Sequence, residues 1–112
     1  MNNISFEDFM KVEICVGTIL TAEINKNLNN PAIVLTIDFG KKIGVKKSSA
    51  QLIANYTCES LIKRQILAVV NFPPKQVGKI MSEVLVLGLE DNNSQPVLIS
   101  PDFNIKNGKK LY

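Results

Sequence analysis

The stretch Ile66–Leu89, ILAVVNFPPKQVGKIMSEVLVLGL, holds two apolar runs separated by a polar corner with two prolines and two lysines. Ile66 to Val70 is β-branched enough to form a buried strand. Pro73 and Pro74 fix two successive φ angles and remove two ladder donors, so strand pairing must stop there. Lys75, Gln76, Gly78 and Lys79 add charge and a permissive backbone before Val84 to Leu89 resumes the buried pattern. The reading is strand, rigid turn, strand. Prolines can merely punctuate a corner and lysines merely keep an edge soluble. The alternative is a rim for an anionic partner, and the rest of the chain has to decide between them.

Upstream, Ile33, Leu35, Ile37 and Phe39 alternate with Val34, Thr36 and Asp38, which predicts a half-buried strand. Before it, Val12, Ile14 and Val16 alternate with Lys11, Glu13 and Cys15, and the run continues past Gly17 to Ile24, predicting a long strand that bulges or bends at the glycine. NKNLNNP, residues 25–31, is a turn-forming loop between them. Gly40 and Lys41 read as a tight reversal into a third strand. If Ile43 and Val45 point inward, Lys42, Gly44, Lys46 and Ser48 face outward. Ser5 is placed to cap a short helix through Phe6, Phe9 and Met10. Gln51 to Arg64 suggests two helical pieces, with Thr57 capping the second. Val97 to Ile99 forms a last strand, and PDFNIKNGKKLY closes the chain as an extended segment. These elements predict an all-β fold, a five-stranded Greek-key barrel of the OB type with short flanking helices, in a single domain over residues 1–112.

Composition narrows the chemistry. The chain has no histidine, so Ser-His-Asp and Cys-His sites are excluded, and no Walker loop, G-x-S-x-G elbow or S-x-x-K appears. Cys15 and Cys58 fit no C-x-x-C pattern, which predicts reduced thiols rather than a disulfide or a zinc site. No metal, cofactor or catalytic residue is expected. MNNISFEDFMKVEICVG lacks the charge and apolar pattern of a secretion signal, and no apolar run reaches membrane-span length, so a cytoplasmic protein without membrane insertion is expected. The net charge is +3, but residues 41–79 hold eight of the thirteen cations and a single acid, Glu59. A basic middle between acidic flanks is an electrostatic footprint for nucleic acid.

Three runs of this chain, FEDFMKVEICVGTIL, IGVKKSSAQL and NYTCESLIKRQILAVVNFPPKQVGKIMSEVLVLG, together with the closing PDFNIKNGKKLY, resemble the CsaA family. That family groups with the tRNA-binding domain appended to methionyl-tRNA synthetases. The resemblance implies an OB-fold homodimer that binds tRNA, with a chaperone role in protein export. Carried over by position, it implies an RNA-binding surface at Lys46, Lys47, Ser48 and Ser49, at Asn71, Pro73, Lys75 and Gln76, and at Lys79, Met81, Ser82 and Glu83. Two departures stand out. Cys15 occupies the place of an arginine usual in the wider family, and NKNLNNP replaces its usual H-P-N-A-D-like first loop.

Two functions follow from different classes. The first is a non-catalytic RNA-binding module in which Lys46, Lys47, Lys75 and Lys79 meet phosphates while Ser49, Asn71, Gln76 and Ser82 position bases or sugars. With no Trp and few aromatics, shape and charge should outweigh base reading. The second is a chaperone for unfolded or exported polypeptides, with a groove at Phe72, Pro74, Val77, Ile80 and Met81. In either case the apolar ends, residues 1–11 and 101–112, offer more surface than a small barrel absorbs, which predicts dimer contacts there.

Overall fold

The computed structural model describes residues 1–26 and 30–112. Its centre is a curled antiparallel sheet of OB type in the order β3-β2-β1-β4-β7, formed by β1 (Ile14–Asn25), β2 (Ala32–Asp38), β3 (Val45–Ala50), β4 (Gln65–Val69) and β7 (Leu85–Val86). β1 is long enough to serve both halves. Its first half pairs with β4, from Ile14↔Val69 to Thr18↔Gln65, and its second half pairs with β2 as far as Asn25↔Ala32. Of the loop over residues 25–31, positions 27–29 lie outside the described residues.

The second strand follows its alternation. Ile33, Leu35, Ile37 and Phe39 are each no more than 1% exposed, and with Ile19, Leu52, Leu61, Ile66, Ala68 and Val84 they form the core. β1 is buried on both faces at its start, Val16 at 2% exposed as well as Cys15 at 3%, and β3 inverts its alternation. In β1 it is Cys15 and Ile19 that join the core, because the strand begins at Ile14 and its phase is set by pairing with Ala68 of β4. In β3 the reversal over Gly40–Lys41 is replaced by a helical turn, α2 (Gly40–Ile43), closed by Gly44 at φ 87°. This delays the strand to Val45 and pairs it with Asp38, leaving Val45 56% exposed and Ser48, opposite Leu35, 2% exposed. A one-residue change of register exchanges the two faces of a strand.

Gly17 also differs from expectation. The register shift of β1 lies between Ile19 and Thr21. Gly17 is instead a place of close approach, since a Cβ there would sit 2.6 Å from Ile37 Cγ2 and 2.7 Å from the Phe39 ring.

The organising stretch divides further than its apolar pattern implies. β4 ends at Val69, as the prolines require, and β7 returns beside it through Ala68↔Val86 and Val69↔Leu85. Between them the corner folds into a hairpin of its own, β5 (Lys75–Val77) and β6 (Ile80–Ser82), turning at Gly78 with φ 63°. The second apolar run splits again, and β8 (Gly88–Glu90) pairs with β9 (Pro96–Leu98) as a separate ribbon. Residues 82–83 cover the free edge of β3. Glu83 N donates to Lys47 O at 2.8 Å, Lys47 N to Glu83 Oε1 at 3.0 Å, and Ser49 N to Ser82 Oγ at 3.1 Å.

The short helices form where their caps allow. In α1 (Phe6–Met10), Ser5 Oγ accepts from Asp8 N at 3.0 Å. In α3 (Cys58–Leu61), Thr57 and Ser60 satisfy one another's backbone N–H in a capping box, and Leu61 is driven into the core. No helix among the described residues is long and apolar enough to cross a membrane. The closing segment is more ordered than an extended tail. Gly108 N donates to Val16 O, Val16 N to Lys109 O and Leu111 N to Ile14 O, so residues 108–111 occupy the edge of β1 that β2 leaves open.

Candidate nucleic-acid interface

The outward pleat of β1, β2 and β3 sets Thr21, Thr36 and Lys47 in one cross-strand row and Glu23, Val34 and Ser49 in the next. The hydroxyls of Thr21 and Thr36 share a hydrogen bond. The β5–β6 hairpin lies against the β3 end of these rows and divides the surface in two. On one side Lys47 and Ile80 border a depression floored by Thr21, Val34 and Thr36. On the other, Ser49, Phe72, Pro73, Lys75, Val77, Ser82 and Leu85 line a groove of about 470 Å³.

The structure therefore gathers part of the expected set and disperses the rest. Lys47, Pro73, Lys75, Ser82 and Glu83 come together from three separate stretches of chain, and Gln76, Lys79 and Met81 sit on the exposed hairpin beside them. Lys46 does not join Lys47, because adjacent strand residues point to opposite faces, and it shares the pleat of buried Ser48. Ser48 is inside the protein, so the reading that turned it outward is corrected by the inverted phase of β3. Ser49 lines the groove, but its Oγ is buried and has no hydrogen-bond partner among the described residues. Asn71 is engaged as a brace. Its Oδ1 accepts from Glu13 N at 3.0 Å and its Nδ2 donates to Lys11 O at 2.8 Å, fixing the approach to β1. Glu83 is also occupied, holding the Lys47 backbone.

The face contains residues that the sequence reading passed over. Thr21, Thr36 and Glu23 belong to it, and the alternation of β2 was signal enough for Thr36, since an inward Leu35 and Ile37 leave it facing out. Glu23 and Glu83 make its charge mixed. Cys15, in the place of the family arginine, is core rather than surface. Burial chiefly, and the Glu13 carboxylate next, push its thiol pKa up, opposed by Lys110 and Lys42. Arg64 is likewise spent internally, its guanidinium 5.3 Å above the Tyr56 ring, while Tyr56 Oη accepts from Leu98 N at 2.9 Å.

The face of strands 2 and 3, with the adjoining loops, is the surface on which OB folds hold oligonucleotides, and Thr36, Lys47, Val34 and Ser49 lie on those two strands here. Residues 14–110 match the tRNA binding domain family. A crystal structure of the chaperone CsaA from Bacillus anthracis is 46% identical, superposes with a TM-score of 0.92, and is covered over 99% of this chain and 100% of its own. The CsaA chaperone protein of Picrophilus torridus is 44% identical with a TM-score of 0.89, over 98% of this chain and 100% of its own. The methionine–tRNA ligase of Pyrococcus horikoshii is 31% identical over 99% of this chain but only 15% of that protein. The chain thus spans about one sixth of the length of the curated ligases it matches, which are covered over 14% to 16%. It belongs to the tRNA-binding domain family, in the CsaA branch.

Proposed function

We propose that this protein is a non-catalytic tRNA-binding module whose contact surface is the outward face of β1 to β3 together with the β5–β6 hairpin. The observation that carries the reading is the bridging of β3 and the hairpin by residues 82–83, which bond the Lys47 and Ser49 backbones at 2.8 to 3.1 Å while Ser82 pairs with Lys75 across β5 and β6, so that cations from separate segments share one frame. Lys47, Lys75 and Lys79 supply phosphate contacts, while Gln76, Ser82 and the threonine pair lie where sugars and base edges pass. Ser49 and Glu83 hold the frame in place, as does Asn71 from behind. Affinity then comes from counterion release, and three neutralised phosphates give log K a slope of about −2 against log salt from this face alone.

Titrating labelled tRNA with the protein at two salt concentrations tests the reading. The double substitution Lys47→Glu and Lys75→Glu is expected to abolish binding at moderate salt without unfolding the protein. Retained affinity in that variant would sink the proposal. A cytoplasmic location follows from the proposed ligand.

A second reading, a polypeptide-binding chaperone, is favoured by the apolar half of the groove, where Phe72 and Leu85 are each 50% exposed, and by Met81, 48% exposed on the adjoining hairpin. The test is displacement of tRNA by an unfolded polypeptide, expected if the two ligands share the hairpin. A homodimer is proposed on the apolar ends. Phe6 and Ile4 are each 72% exposed, Phe103 77% and Tyr112 fully, so neither Phe6 of α1 nor the terminal Tyr112 finds cover within one chain. Solution mass that halves on Phe6→Asp would support that interface.

A further inference from the structure

We infer that a second phosphate-binding cleft lies at the junction of α2 with residues 106–109, and that the backbone of the same RNA occupies it. This rests on the RNA-binding reading above and extends it to a part of the surface that reading does not use. The cleft, about 720 Å³, is bordered by Lys41 and Lys42 on one side and by Lys106 and Lys109 on the other. No carboxylate lines it. Asp38, the acid that precedes the turn, has its Oδ1 engaged by Gly40 N at 2.8 Å.

Two glycines bring these lysines together from opposite ends of the sequence. A Cβ on Gly40 would meet Asn107 O at 2.7 Å, and one on Gly108 would meet Phe39 O at 2.5 Å, so only bare backbones allow the contact. Asn107 locks it, with its Oδ1 accepting from Thr18 Oγ1 at 2.7 Å and Gln65 Nε2 at 3.2 Å. The two salt bridges among the described residues are Lys11–Asp8 and Lys110–Glu13, so none of the four ammonium groups in the cleft is neutralised by a carboxylate. Like charges held on a rigid frame repel, and a polyanion relieves that repulsion.

The chemistry favours phosphate over base. Phe39, the one aromatic at the cleft, is 1% exposed and offers no stacking platform. A polynucleotide fits better than a free anion, because α2 runs directly into β3. Lys47 follows Lys42 by five positions, at most about 18 Å of chain, so one backbone can cross both.

The test is the salt dependence of tRNA binding, read beside lysine acetylation. Seven neutralised phosphates predict a wild-type slope near −5, against about −2 for the β3 face alone. Replacing Lys41, Lys42, Lys106 and Lys109 by Gln is expected to return the slope to about −2 and weaken binding at least tenfold at low salt. A wild-type slope already near −2, unchanged in the quadruple variant, would overturn this inference while leaving the β3 face standing. Loss of binding in neither this variant nor the Lys47/Lys75 variant would remove both. In the unmutated protein, saturating tRNA should protect the four lysines from acetylation. Protection by inorganic phosphate or polyglutamate but not by tRNA would assign the cleft to another anion and end the proposal.

Discussion

The β3–hairpin face and the cleft beside α2 are both cationic, yet they are built in different ways. The face is wired by backbone hydrogen bonds to Ser82 and Glu83 and carries acids among its lysines. The cleft holds four lysines with no acid in its lining, and its two walls meet through glycine contacts. A mixed, well-bonded surface can position groups and discriminate among them, whereas an unmixed cluster can supply attraction with little discrimination. The difference teaches that charge counted along a sequence is a poor guide to where charge gathers. Lys106 and Lys109 come from a flank that is acidic on balance, yet they fold against the basic middle.

The strongest way to break the comparison is Gly108→Val. The residue sits at φ 92° with Phe39 O where a side chain would go. Left-handed strain of about 1–2 kcal/mol adds to overpacking of about 1–3 kcal/mol. Thermal unfolding should show a marked fall in Tm, and the salt slope for tRNA should shrink even though no lysine is changed. A Tm equal to wild type would mean that the segment is not held as described.

Ser82→Ala probes the wiring of the face. It leaves Ser49 N without its acceptor, at a cost of about 1–3 kcal/mol in denaturant unfolding. Ser49→Ala, by contrast, removes a buried hydroxyl that has no partner among the described residues, and should be neutral or stabilising by up to about 1 kcal/mol. Equal losses in the two variants would show that the bond from Ser49 N to Ser82 is not formed. Glu83→Gln keeps an oxygen for Lys47 N while removing a negative charge from the face, so tRNA affinity at low salt should rise by roughly two- to fivefold. A fall would show that the carboxylate itself serves the ligand.

The smallest effect is expected away from both regions. Bonds from Gln95 N, Asn55 Nδ2 and Asn93 N hold the Asp91 carboxyl below its ordinary pKa. A depressed folded-state pKa means stability that is present above the unfolded value and lost as pH falls through the folded one. The stabilities of wild type and Asp91→Ala should therefore differ near neutral pH and converge in acid, with tRNA binding at neutral pH the same in both. A constant gap across pH would refute the assignment.

The legibility of each strand tracked the contrast between its two faces. β2 sets Ile, Leu, Ile and Phe against Val, Thr and Asp, so its inward side could be read directly. β1 has apolar side chains on both faces, and β3, VKKSSA, has almost none on either, so neither carries its own phase. Pairing and turn geometry decided them instead. Lys46 and Ser48 took the inward pleat, and Lys47 the outward one, because α2 lengthened a reversal by one helical turn. Asn71 and Glu83 were legible as polar groups beside a basic corner. Their commitment to backbone N–H groups was not, because their partners lie 58 and 36 residues away.

The sequence by itself determined the fold class, the halt of strand pairing at Pro73–Pro74, the helix caps at Ser5 and Thr57, and the bias towards a polyanionic partner. Each of these depends on local dihedral limits, nearby hydrogen bonds or total charge. Tertiary structure alone decided which lysines share a surface. A strand residue's direction changes with a single step of register, and the meeting of residues 39–42 with 106–109 depends on two backbones fitting where no Cβ intervenes.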